Sequence, residues 1–238
     1  MTNGRMGASG GVNEALRESL IQATIELVST EGLHALTARR VSRMCGVSTM
    51  AVYTNFGGMA ELIRAAGSAG FAQLAARMQE CGISDDPIAD LLLLGMVFRD
   101  EAQRRPELFQ LMFGTGSPRT DPPLRRGNVL TGTSDFDHYR ESFDHVVDAA
   151  RRAVEAGLVK PTSPRNAAAQ LWTGLYGYVQ LENSGHLGED GLSEVLVPAI
   201  VNLLVGMGSD RDAVGVSVVR ALTQFVALSG GFGVAQGG

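Results

Sequence analysis

An all-helical fold follows from three observations on the 238-residue sequence. Apolar residues recur at the three- and four-residue spacing of a helix along most of the chain. No segment shows strict apolar–polar alternation bounded by turn residues, the mark of a half-buried strand. The balance of 45% hydrophobic to 19% charged residues is too apolar for a disordered chain, and the length supports a sizeable core without cross-links.

Taken in order, the first helix covers residues 13–30. Leu16, Leu20, Ala23, Ile25, Leu27 and Val28 form its apolar side, and Glu31-Gly32 is its stop signal. Thr37 suits the N-cap of a short helix through Cys45, and Gly46 supplies the left-handed residue that ends it. Ser48 then caps a second short helix, 49–55, which closes before Gly57-Gly58. A long helix is expected over 59–80. Pro87, at a first helical position, opens another through about Arg105, and Pro106 opens a short one through Phe113. The stretch 114–134, rich in Gly, Pro, Thr and Ser, reads as a loop. Further helices are expected over 135–156, 164–184 and 191–205, the last kinked at Pro198. A weaker one over 211–228 precedes a flexible Gly-rich end.

Net charge is −5, which argues against a basic coat for nucleic acid, but the charge is uneven. Through Arg64 there are six Arg against five Glu, a net +1; the remainder has 14 basic against 20 acidic residues, a net −6. No acidic residue lies between Gly32 and Ala60, where His34, Arg39, Arg40 and Arg43 cluster. A local basic window on an acidic body is what a compact phosphate-contacting module needs, although a solvated surface also produces such clusters. Cys45 and Cys81 have no metal-ligand spacing and read as small buried hydrophobes in a reducing compartment. The first twelve residues lack the apolar core of a signal peptide, and the apolar run 91–98 is too short to span a bilayer. A cytoplasmic location without membrane contact is expected.

Residues 37–56 read as helix, tight turn, helix. Val41, Cys45, Val47 and Val52 are spaced to bury the inside of the bend. The second short helix offers Thr49, Met50, Tyr53 and Thr54 outward, a set with hydroxyls for phosphate and methyl groups for thymine. A helical corner without function has the same spacing. The run IQATIELVSTEGLHALTARRVSRMCGVSTMAVYTNFGGMAELIRAA, residues 21–66, resembles the DNA-binding domain of the TetR family of bacterial transcriptional regulators. The resemblance rests on Glu31-Gly32, Leu36-Thr37, Val41, Gly46-Val47-Ser48, Tyr53 with Phe56, and Leu62. It implies phosphate contacts from Thr37, Tyr53 and Thr54 and base-edge contacts from Thr49 and Met50; Arg39 and Arg43 of the basic window and Ser48 of the turn are further candidates. Met59 departs from the family, many of whose members have a phosphate-contacting lysine there, and Gly57 replaces a frequent proline.

Beyond residue 85 the resemblance continues more faintly. RRPELFQLMFG (104–114) and LWTGLYGYVQLE (171–182) look like a subgroup marked by Trp, three residues, then His-Gly; Trp172 and Gly177 match, but Tyr176 stands at the His position. The family pairs its DNA domain with a helical domain that dimerises and often encloses a small molecule. On that basis Met96, Phe98, Phe109, Met112, Phe113, Phe143, Trp172 and Tyr176 are candidates to line an apolar cavity, with Arg99, Gln180 and Tyr176 as its polar groups. Taken singly each reads first as plain core, and the cavity is a reading of the set. The expected division is a tail over 1–12, a helix-turn-helix domain over 13–58, a helical ligand-binding and dimerisation domain over 59–208, and a C-terminal helix and tail over 209–238.

His138, Glu141, His145 and Asp148 share a helical face, but the apolar stripe of that helix lies nearly opposite, so they read as its solvated side rather than as a metal site. Gly231-Phe232-Gly233 has neither the strand before it nor the helix after it that a dinucleotide loop requires. No nucleophile and base are paired, and neither enzyme chemistry nor a cofactor is expected. The expected protein is a homodimeric regulator, a repressor before an activator, whose partners are a double-stranded DNA operator and a small-molecule effector. Two alternatives are a small-molecule binding protein with a vestigial helix-turn-helix and a ligand-independent regulator.

Overall fold

The computed structural model describes residues 8–114 and 127–232. Its elements are α1 (Ala8–Glu31), α2 (Ala38–Met44), α3 (Met50–Phe56), α4 (Met59–Glu80), α5 (Pro87–Arg104), α6 (Pro106–Phe113), α7 (Tyr139–Glu155), α8 (Pro164–Asn183), α9 (Val197–Gly206) and α10 (Arg211–Phe232). A 3-10 turn, Leu33–Ala35, precedes α2, and a π-helical turn, Leu192–Leu196, leads into α9. Among the described residues the nearest approach to a sheet is one isolated bridge between Asn128 and Thr133. The expected loop over 114–134 is described only at its ends. Residues 8–12 of the expected tail and 229–232 of the expected flexible end are helical, in α1 and α10; the rest of both ends lies outside the described residues.

Two helices depart from their expected form for identifiable reasons. The helix expected from residue 135 begins at Tyr139, because His138 takes a left-handed backbone (φ 61°) and the chain before it turns. That turn is tied down: Asp137 N–H donates to Ser68 Oγ at 2.9 Å, and Phe136 N–H donates to Ser134 Oγ at 3.0 Å. The helix expected over 191–205 is present without a break, but Leu192–Leu196 form a π-helical turn within it. Pro198 has no N–H for the carbonyl four residues back, and the chain takes a wider turn just ahead of it.

The chain forms two compact units. One comprises residues up to Ala72 with Arg105–Gly127 and Ser134–Tyr139; the other comprises Gln73–Arg104, Asn128–Thr133 and Arg140 onward. In the first, Leu20, Ala23 and Leu27 of α1 pack with Val41, Val52, Phe56 and Leu62. A second part of this unit is aromatic. Phe71 meets Phe113 and Tyr139 edge-on, at 5.0 and 5.3 Å between centroids, and Phe109 lies 4.8 Å from Phe113. Gly67 of α4 is required here, since a side chain there would run into the Phe136 ring.

In the second unit α5 packs against α10 and α8, and α9 against both α8 and α10. Ala89, Leu93 and Ala221 are fully buried between α5 and α10, flanked by Met96, Phe225 and Leu228. Ser217 Oγ donates to the Asp86 carboxylate at 2.9 Å and Arg220 donates to Asp85 at 2.9 Å, so α10 is integral to this unit. Arg152 of α7 is bound by Asp90 at 2.7 Å, and Ser84 Oγ donates to the same carboxylate at 2.6 Å. By length and composition Arg211–Ser229 is also apolar enough to cross a membrane. A search for uninterrupted apolar runs misses it, because Ser217, Thr223 and Gln224 are interspersed.

Candidate functional site

The helix-turn-helix is built from local signals. Thr37 adopts an extended backbone, and its hydroxyl accepts from Arg40 N–H at 3.3 Å, so it is the N-cap of α2. Gly46, at φ 66°, allows the turn, and Val47 N–H folds back onto the Ser42 carbonyl at 2.9 Å. Thr49, not Ser48, is the N-cap residue of α3, and its side chain makes no capping bond. Gly57, left-handed at φ 76°, closes α3 with its N–H on the Tyr53 carbonyl at 2.8 Å.

This arrangement buries Val41, Ser42, Val52 and Phe56 and leaves Thr37, Arg39, Arg43, Ser48, Thr49, Met50, Tyr53 and Thr54 all exposed. Met50 is 65% and Tyr53 53% exposed, unusual for large apolar side chains with no partner beside them. The three arginines of the basic window divide. Arg40 pairs with Glu31; this hydrogen bond holds the Glu31 carboxyl below its ordinary value and pushes Arg40 up. Among the described residues neither Arg39 nor Arg43 meets a carboxylate. Two residues escaped the sequence reading. Met44 is 43% exposed beside Arg43, although methionine reads as core by type. Arg17 of α1 donates to the Asn55 carbonyl and lies over the Phe56 ring, a contact across 38 residues that no local pattern announces.

The candidate cavity residues fall into both units. Phe109, Met112 and Phe113 belong to the first, with Phe109 and Met112 fully buried. Met96, Arg99, Phe143, Trp172, Tyr176 and Gln180 belong to the second. Trp172 and Tyr176 stack at 4.7 Å, and Phe98 meets Trp172 edge-on at 6.5 Å. Phe143 lies under the Arg165 guanidinium, 5.7 Å from the ring centroid. Arg99 is engaged: Glu182 takes its Nε at 2.9 Å and its Nη2 at 2.6 Å, and Tyr178 O–H donates to the same carboxylate at 2.8 Å. Burial would lower the Arg99 pKa, but the Glu182 hydrogen bonds outweigh it and the net shift is upward. The sequence does not announce this pairing across 83 residues.

The model for bacterial regulatory proteins of the tetR family matches residues 20–66, and that for the tetracyclin repressor-like C-terminal domain matches residues 91–204. No curated protein sequence matches the chain. Among solved structures, a protein of unknown function from Rhodococcus sp. RHA1 has a TM-score of 0.66 at 22% identity, over 82% of this chain and 96% of that one. RolR in complex with resorcinol has a TM-score of 0.63 at 13% identity, over 87% of this chain and 95% of that one. A TetR variant from Acinetobacter baumannii AYE in complex with minocycline has a TM-score of 0.53 at 19% identity, over 79% of this chain and 94% of that one. At these identities the structures share the fold.

Proposed function

Because this chain belongs to the tetR family of bacterial regulatory proteins, DNA-binding regulators that respond to ligands, we propose that it acts as a homodimeric repressor. In this reading a small apolar or aromatic ligand releases it from a near-palindromic operator. The observation that carries it is the joint exposure of all eight candidate DNA-contacting side chains on one turn and its two helices. Thr37, Tyr53, Thr54, Arg39, Arg43 and Ser48 contact phosphate, while Thr49 and Met50 meet base edges from the start of α3. Two copies of α3 enter successive major grooves about 34–36 Å apart.

A small-residue face supports the dimer. Thr173, Gly174, Gly177 and Leu181 of α8 are exposed at helical spacing, as are Val195, Ala199, Asn202 and Gly206 at and along α9. Packed on its two-fold mate, this uncharged face forms a four-helix bundle. The proposed ligand position is beside the Trp172–Tyr176 stack, without the histidine contact of the resembled subgroup, which Tyr176 does not inherit; the resorcinol held by RolR favours an aromatic effector. Coupling runs through α4, a single helix whose start belongs to the first unit and whose end, from Gln73, to the second. Arg77 near that end is gripped by Asp100 and Glu101 of α5, each at 2.5 Å. A ligand that binds the DNA-free arrangement more tightly shifts the equilibrium, by ~1–3 kcal/mol in typical cases. A ligand-independent regulator is the second reading, favoured by the ring packing of Phe71, Phe109 and Phe113, which fills that region with side chains.

A mobility-shift assay with the DNA flanking its own gene tests the core of the proposal. Retarded complexes at low salt are expected, and failure to bind any such fragment overturns it. The ligand step is read by fluorescence of Trp172, the one tryptophan of the chain, during titration with simple phenols. A saturable change accompanied by release of DNA is expected. Release without a change at Trp172 would put the ligand elsewhere.

A further inference from the structure

The seven-residue helix α3 is too short to stand on its own hydrogen bonds. Its last carbonyls lack partners within the helix, and the partial negative charge of those groups gathers around Asn55 and Phe56. Gly57 and Gly58 come next, both at positive φ and both with open space where a side chain would stand. The joint to α4 therefore adds little stiffness of its own.

Arg17, in the middle of α1, meets this weak point. Its guanidinium donates to the Asn55 carbonyl oxygen, and its central carbon lies 4.2 Å from the centroid of the buried Phe56 ring. One planar cation thus caps an orphan carbonyl, offsets the negative end of the helix dipole and stacks on an aromatic face. We propose that Arg17 is a positioning residue for DNA recognition, capping the C-terminal end of α3 from a neighbouring helix and holding Thr49, Met50 and Tyr53 at one pitch. It acts on protein and not on phosphate, since Nη1 is engaged by the Asn55 carbonyl and the guanidinium face by the Phe56 ring. The inference rests on the reading of α3 as the DNA-contacting helix.

Hydrogen exchange on the full chain without DNA tests the cap directly, with Arg17→Met keeping the aliphatic stem and Arg17→Lys keeping the charge. In Arg17→Met the amides of Asn55, Phe56 and Gly57 exchange about tenfold faster, the loss expected for one charge-assisted hydrogen bond, while those of α1 and of Leu62 are unchanged. Arg17→Lys recovers part of the protection, because an ammonium donates but does not stack as a plane. Unchanged exchange, or a rise spread evenly over α1 to α3, overturns the proposal. The second readout uses a duplex selected from random-sequence DNA by the unmodified chain. Affinity for it falls about tenfold in Arg17→Met, with the slope of log K against log salt unaltered. A slope shallower by about one would make Arg17 a phosphate contact and overturn its role as a cap. If the unmodified chain selects no DNA, the regulator reading fails by itself, and the exchange data still decide whether the cap exists.

Discussion

Thr49 and Tyr53 stand exposed one turn apart on α3, yet they differ in what they can read. In the proposed complex the methyl and hydroxyl of Thr49 meet base edges, whereas the phenol of Tyr53 meets phosphate. Thr49→Ala should change the preferred base at one position by about 1–3 kcal/mol, read by binding to a panel of single-position operator variants. Tyr53→Ala should weaken binding to all members of the panel alike. The reverse pattern would exchange the two roles. Residue type made this pair legible in the sequence, because short hydroxylated side chains after a Gly-Val-Ser turn have no core to fill. The same reasoning fails for Arg99, a plausible polar group for a pocket by type, whose guanidinium is held by Glu182. It falls short for Cys81 too: read as a small buried hydrophobe, it is half-buried, and burial pushes its thiol up to about 11.

At the scale of elements, agreement was closest where a helix carries its own boundary signals. α4 and α6 match their expected limits because a glycine pair or a proline starts each and a glycine or turn follows each. α7 begins later than its periodicity suggests, since Asp137 and Phe136 spend their N–H groups on Ser68 and Ser134 instead of on helix carbonyls. α4 also depends on a small residue that periodicity alone does not explain. Gly67 sits under the Phe136 ring, and Gly67→Ala should destabilise the first unit by about 1–3 kcal/mol despite the better helix propensity of alanine. Denaturant unfolding followed by circular dichroism measures this. A gain in stability would show that the ring moves aside freely.

For the whole molecule, the charge asymmetry sets how DNA is held. Under the proposed function, a body with a net −6 after Arg64 repels the duplex, and Arg39 and Arg43 supply the local attraction. On that reading two reading heads are needed for useful affinity, so the proposed dimer is a condition of the proposed function. Leu181→Arg places a charge on the exposed small-residue face of α8. It should give a monomer in sedimentation and lower operator affinity at least ~100-fold, with the helical circular dichroism retained. A dimer that persists with full affinity would locate the interface elsewhere. The exposed Val216, Val219 and Val226 of α10 mark the other apolar surface of the second unit.

The sequence by itself determined the helical class, most helix limits and the helix-turn-helix, because caps, turn glycines and 3.6-residue periodicity act within a few residues of chain. It also identified the exposed face of α3, since burying Val52 and Phe56 turns Thr49 and Tyr53 outward by helix geometry. Tertiary structure alone decided which distant partners meet. Arg99 finds Glu182, Arg17 finds the end of α3, the aromatic candidates divide between two units, and α10 becomes part of the second core. These outcomes depend on which faces are brought within a few ångströms by packing, and sequence separation carries no information about that distance.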